Sequence, residues 1–244
     1  MADLGKIIGS GRSKREDSEH WIGVSDLMSG LMMVFMFIAV AYMVYVQIER
    51  DRIKEIAVSN QEAQVAIYEA LMTEFGKDLP VWRAEIDQQT LEFRFGSPEI
   101  LFEPGKSDLR PQFKSILSDF FPRYVRVLSA FEQDIQEIRI EGHTSSDWGG
   151  AVGDDAYFRN MALAQDRTRA ALEHVQGHPD LSLNQKQWTR RTFAAIGYSS
   201  SRSVVNAESG VEDLERSRRV NFRVLTNAEV TLRTIIEKLS GNQI

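Results

Sequence analysis

"DIQEIRIEGHTSSDWGGAVGDDAYFRNMALAQDRTRAALEHVQGH" runs from Asp134 to His178, and its reading decides the fold of the larger part of the chain. Ile135, Ile138 and Ile140 are spaced for a strand that runs into a polar loop at Gly142–Ser146. Trp148–Asp155 is a Gly-rich insert. It lacks the Gly-Lys-Ser/Thr ending of a phosphate loop, so nucleotide binding is not expected there. A helix follows. Met161, Leu163, Ala164, Ala171, Leu172 and Val175 recur on one side of it, and Gly177 is its stop signal.

The flanks extend the pattern. Downstream, "RTFAAIGYSS" (Arg191–Ser200) and "RRVNFRVLT" (Arg218–Thr226) read as two more strands. A last helix covers Ala228–Leu239 and ends at Gly241. Upstream, Leu91–Phe95 alternates as a strand and breaks at Gly96, Pro98 and Pro104. Leu109–Phe131 reads as a helix with Pro111 in its first turn, and Pro122 predicts a kink or break. The order β-α-β-α-β-β-α predicts an α+β sandwich, helices on one face of a mixed sheet.

Further upstream the character changes. Leu27–Val46 carries no formal charge over twenty residues, and at about 1.5 Å per residue such a helix spans roughly 30 Å, the hydrocarbon thickness of a bilayer. Trp21, Tyr42 and Tyr45 stand where interfacial anchors belong. The run is too long for a signal peptide, and no small-residue cleavage site follows it. One retained spanning helix, about Ile22–Ile48, is expected. Lys6, Arg12, Lys14 and Arg15 before it, against Arg50, Arg52 and Lys54 after it, favour a cytoplasmic N-terminus. Between Glu49 and Pro80, apolar residues recur at helical spacing. A heptad frame through Ile53, Ala57, Asn60, Gln64, Ile67 and Leu71 is only partly apolar, so the segment is expected to pack on its own copy or on the following domain.

Asp26 begins the apolar run, and two readings of it stand. At the headgroup boundary, Ser25 and Asp26 would cap the first unpaired helix N–H groups. One turn deeper, a carboxylate costs about 2.5–3.5 kcal/mol on insertion scales and marks an ion or proton path. Gly23, Ser29 and Gly30 permit close approach of another helix.

Composition bounds the remaining function classes. The chain has 244 residues, 29 Lys+Arg against 35 Asp+Glu, and no cysteine. No direct nucleic-acid partner is expected from that balance. Disulfides, thiolate catalysis and lipid attachment through cysteine are excluded. His20, His143, His174 and His178 have no metal-ligand spacing, and no nucleophile–base order or carboxylate pair stands out. The chain is read as a non-enzyme without metal or cofactor.

"WIGVSDLMSGLMMVFMF" resembles the Trp-x(4–6)-Asp-Leu/Phe-Met-Ser/Thr segment of the MotB family, the ion-conducting subunits of rotary stators. The Trp21–Asp26 step is closest to the ZorB branch of Zorya anti-phage systems. "IRIEGHTS", "NMALAQDRTRAAL", "AAIGYSS" and "RSRRVNFRV" resemble, over roughly Leu91–Thr226, the OmpA-like peptidoglycan-binding domain. The resemblance implies that Asp26 takes up and releases the driving ion. A proton is expected, since a lone carboxylate suffices for it. Na⁺ would need several oxygen ligands, to which Ser25 and Ser29 would contribute. It also implies a homodimer inside a ring of a multi-span MotA/ZorA-like membrane protein, in the bacterial inner membrane, with the C-terminal domain periplasmic.

The resemblance places peptidoglycan binding on Thr144, Ser145, Asp147, Asn160, Leu163 and Arg167. Arg167 would grip a diaminopimelate carboxylate with its planar fork. Ser145 stands where the family usually has Asp, and Asp147, two residues on, is a candidate substitute. Other readings of these residues stay open: Arg167 pairing with Asp154, Asp155 or Glu173, Asn160 as a loop-facing cap, and Arg218 and Arg219 as a stabilising strand edge. The expected boundaries are a cytoplasmic tail at 1–20, the spanning helix at 21–48, a helical linker at 49–80 and the peptidoglycan-binding domain at 81–244. A flagellar-type stator, a passive wall tether that needs no Asp26, and an energy transducer of the ExbD/TolR type are the alternatives. The last usually has a smaller periplasmic domain.

Overall fold

A computed structural model describes residues 10–96 and 98–241. The first nine positions of the expected tail, Lys6 among them, lie outside the described residues. The chain divides into two compact units, Met1–Glu55 and Ile56–Ile244.

One helix, α1 (Ser10–Phe75), begins in the first unit and ends in the second. In the first unit its apolar side chains, from Leu27 and Met32 through Phe37 to Tyr45, are exposed. Among the described residues this is the one helix long and apolar enough to cross a membrane. Because the helix starts sixteen residues before Asp26, the N–H groups there are already inside the helix. The cap reading of Asp26 therefore fails. Ser29 Oγ instead donates to the Ser25 carbonyl at 2.8 Å, one turn back, a common use of a mid-helix serine.

The second unit is built on a five-stranded sheet: β1 (Ala84–Ile86), β2 (Glu92–Phe95), β3 (Ile135–His143), β4 (Phe193–Gly197) and β5 (Arg219–Thr226), in the order β1-β2-β5-β3-β4. Only β3 and β4 pair in parallel. The intervening helices are α2 (Leu79–Trp82), α3 (Pro98–Leu101), α4 (Pro111–Ser129), α5 (Gly153–Gln176), α6 (Leu183–Thr192) and α7 (Leu214–Ser217). The last helix is α8 (Asn227–Gly241). This is the expected α+β class with a mixed sheet.

The inward-facing alternation places Phe93, Phe95, Ile138, Ile140, Phe222 and Val224 in one apolar core with Phe113, Phe120 and Tyr124 of α4 and Val175 of α5. The end of α1 joins it. Ile67, Leu71 and Phe75, spaced by four, are fully buried, and the Phe75 ring centroid lies 5.3 Å from that of Phe120. The polar positions of the broken heptad frame dock the same stretch. Gln64 Nε2 donates to the Gln88 carbonyl at 2.7 Å, and Asn60 Oδ1 accepts from Thr226 Oγ1. Arg123 holds the junction after α1, with Nε 2.7 Å from Glu74 Oε1 and an Nη2 2.8 Å from Asp78 Oδ2. Its guanidinium also lies 4.8 Å above the Phe75 ring.

Two expectations change. Helix α4 passes through Pro122 without a break. Proline removes one backbone hydrogen bond, but Phe120, Phe121, Tyr124 and Val125 around it are fully buried, and that packing holds the helix together. Strand β1, helix α6 and the short helices α2, α3 and α7 come in addition to the expected elements. A capping box marks the start of α6: Ser182 and Gln185 exchange side-chain and backbone hydrogen bonds, a signal present in the sequence.

Two glycines set the distance between α5 and the sheet. A Cβ on Gly142 would lie 2.7 Å from the Ala164 carbonyl oxygen, and one on Gly197 would lie 2.5 Å from the Gln165 amide nitrogen. Helix α5 thus rests against bare backbone of β3 and β4, which fixes the height of its pocket-facing side chains.

Candidate functional site

Where β3 runs out, its loop, the N-terminal half of α5 and the turn at Pro104–Gly105 enclose a cavity of about 310 Å³. Thr144, Ser145, Asp147, Asn160, Leu163 and Arg167 all line it, together with Trp148 and Arg218. Asn160, Leu163 and Arg167 come from successive turns of α5. The loop side chains arrive because β3 is held between β4 and β5.

The loop is tied down from several sides. Thr144 N donates to the Ser199 carbonyl at 3.0 Å, while Thr144 Oγ1 is buried and has no hydrogen-bond partner. The Ser146 amide and hydroxyl both bind the Glu212 carboxylate. Asn160, 2% exposed, donates to the Asp147 carbonyl at 3.3 Å, so it shapes the loop from inside the pocket. Asp147 itself is exposed. The Gly-rich insert reverses the chain. Ala151 N donates to the Trp148 carbonyl at 2.8 Å, with Gly149 at φ +47° and Gly150 at φ +93° between them. Side-chain-bearing residues adopt that region at a cost.

Arg167 is the main cation of the site. Its Nε donates to the Lys106 carbonyl at 2.9 Å and one Nη to the Glu103 carbonyl at 3.3 Å. The guanidinium lies 4.7 Å from the Phe102 ring centroid. Neither Asp155 nor Glu173 pairs with it, since these lie beside Arg159 and Arg169. No acid pairs with Arg167 among the described residues. Burial, and then the neighbouring Arg218 charge, pull its pKa down to about 10. Backbone carbonyls and a ring face hold the group in place and leave its charge uncompensated.

Arg218 corrects an expectation. It caps the end of α7 rather than forming a strand edge, lines the cavity, and donates from Nε to Ser145 Oγ at 3.1 Å. The Ser145 hydroxyl thus faces an arginine at the position where an acid was expected. Arg219, one residue on, is buried and bonds to the Ser217 and Arg202 carbonyls, the stabilising role foreseen for it. The adjacent "RR" of the sequence gave no sign that the two side chains diverge.

Behind the pocket, β3 buries Glu141 and His143, 0% and 3% exposed. Burial holds the His143 pKa below its ordinary value, with Arg219 adding to the effect and Glu141 opposing it. Burial also acts against the Glu141 charge. His143, with Nε2 3.5 Å from Glu141 Oε2, and then the Arg202 charge outweigh it, so the Glu141 pKa is lowered. His143 stacks on Tyr198 at 5.3 Å, and the Arg202 guanidinium lies 3.8 Å from the Tyr198 ring centroid.

Among known proteins, the Zorya protein ZorB of Escherichia coli is 54% identical over 237 residues, covering 96% of this chain and 100% of that protein. No family model matches the chain. Among solved structures, a MotB-like protein from Desulfovibrio vulgaris is 20% identical at a TM-score of 0.49, over 69% of this chain and 98% of that one. A periplasmic fragment of Helicobacter pylori MotB, residues 97–256, is 15% identical at a TM-score of 0.42, over 66% and 99% of the two chains.

Proposed function

The chain belongs to the ZorB family of Zorya proteins, and from that premise we propose that it is the wall-anchored, ion-conducting subunit of an inner-membrane motor complex in anti-phage defence. Its N-terminus is cytoplasmic, α1 crosses the membrane once, and the sheet-bearing unit is periplasmic. Two copies sit within a ring of a multi-span MotA/ZorA-like partner. The partner is required, because one helix cannot enclose an ion path. Asp26 takes up a proton, releases it, and so changes its contact with the ring. The pocket grips peptidoglycan, with the stem-peptide carboxylate on Arg167, Thr144 and the loop beside it, and Asn160 and Leu163 shaping the wall.

The observation that carries the anchoring role is the half-buried Arg167 guanidinium, without an acid partner among the described residues, in a pocket lined by every residue of the proposed set. A carboxylate ligand supplies the missing charge through a charge-assisted hydrogen bond. The test is sedimentation of the detergent-solubilised chain with purified peptidoglycan. Arg167→Ala is expected to weaken binding by about 1.5–3 kcal/mol, the loss of one charged hydrogen bond. Undiminished binding by a folded Arg167→Ala chain discards the assignment.

A further inference from the structure

Beside this pocket, and also lined by Arg167, lies a second cavity of about 510 Å³. The two share Pro104, Arg167 and Arg218 as lining, so they adjoin around those side chains. The second lobe adds Arg110 and Glu215. Its wall therefore carries three arginines and one acid. Arg110 immediately precedes α4. Its Nε is buried without a hydrogen-bond partner, and its guanidinium forms no ion pair among the described residues. Arg218 is near enough to disfavour the Arg167 charge. With one ligand carboxylate on Arg167, neither Arg110 nor Arg218 has an ion-pair partner among the described residues, and Glu215 is the lobe's one acid.

We propose that this second lobe binds a second carboxylate of the same ligand through Arg110 and Arg218. The site then prefers a stem peptide that ends in a diamino-diacid residue with both carboxylates free. The inference rests on the peptidoglycan reading of the first lobe. It gives Ser145 a purpose: an acid there would draw Arg218 into an ion pair, whereas a hydroxyl holds the side chain and leaves its charge for the ligand.

The experiment uses the full chain in detergent and three synthetic peptides, each L-Ala-γ-D-Glu-diaminopimelate. One has both diaminopimelate carboxylates free. One carries the main-chain carboxyl as an amide, and one the side-chain carboxyl as an amide. Titration calorimetry is expected to show roughly tenfold weaker binding of the main-chain amide, the effect of losing one charged hydrogen bond. Arg110→Gln should narrow that gap to about threefold or less, and the side-chain amide should bind poorly to both chains. Equal binding of the free and main-chain-amide peptides by the unmodified chain overturns the second lobe, as does an unchanged gap in Arg110→Gln. If only the second lobe is wrong, the side-chain amide still binds poorly. If no form binds, the peptidoglycan reading fails and this extension fails with it.

Discussion

The spanning part of α1 and the sheet-bearing unit use charge in opposite ways. Over Leu27–Val46 the helix exposes apolar side chains and has no charge. Asp26 stands at the edge of that run, without an ion-pair partner among the described residues. In the second unit several inward-facing charges meet an opposite one. Arg123 has Glu74, Asp78 and Asp119, and Glu141 has His143 and Arg202. Arg219 has no ion pair either, but it is packed away behind the site with carbonyl partners, whereas Arg167 and Arg218 line a pocket. On our reading the charges to follow are those that lack a counter-charge and also border open space: Asp26 for a membrane partner, Arg167 for a wall ligand.

The largest expected effect breaks the comparison at its membrane side. Asp26→Asn keeps the size and hydrogen-bonding capacity of a protonated aspartate but cannot ionise. The complex should still assemble, conduct no ions and give no protection in a phage-infection assay. Co-purification with the membrane partner checks assembly. An assembled, fully protective Asp26→Asn complex would leave a passive wall tether as the better account of the chain.

The next effect is on the frame that holds the pocket. Gly197→Ala puts a methyl group against the α5 backbone and should destabilise the second unit by about 1–3 kcal/mol, the usual cost of overpacking. Thermal unfolding reads it. Because α5 carries Asn160, Leu163 and Arg167, wall binding should weaken along with stability. Unchanged stability would mean that α5 gives way without cost. A fragment meant to keep the core intact should begin before Ile56, since Ile67, Leu71 and Phe75 belong to it.

Much of this was legible in the sequence because its signals are local. An apolar run of bilayer length, the Ile135–Ile140 strand spacing and the α5 periodicity each lie within one segment. Pocket residues could be named because two short motifs carry them. What was not legible depends on distant partners. Asn60 and Gln64 look like faults in a heptad until Thr226 and the β1–β2 turn supply their hydrogen bonds. Pro122 looks like a break until its neighbours are seen in the core. Nothing in "SRRVNF" says that Arg218 turns to Ser145 while Arg219 is buried beneath Arg202. β1 has three residues, too few for any alternation to register.

The smallest expected effect sharpens the comparison from inside the domain. His143 is buried with its pKa lowered, so the fold favours the neutral ring. A base whose folded value lies below its unfolded value contributes fully above the unfolded value, about 6.5, and its contribution is lost as pH falls below that. Glu141, whose folded value is also lowered, contributes above its unfolded value near 4.5 and loses that contribution only as pH falls through the lower folded one. Acidification from pH 7.5 to 5.5 therefore acts through His143 and should lower the melting temperature. His143→Gln removes the titrating ring and should flatten that dependence, even if the variant is less stable at pH 7.5. Parallel pH profiles for the two proteins would show that the His143–Tyr198–Arg202 stack absorbs the imidazolium without loss. The expected slope would mean that a proton taken up in the domain only loosens the frame behind the pocket, whereas on our reading a proton taken up at Asp26 drives the complex.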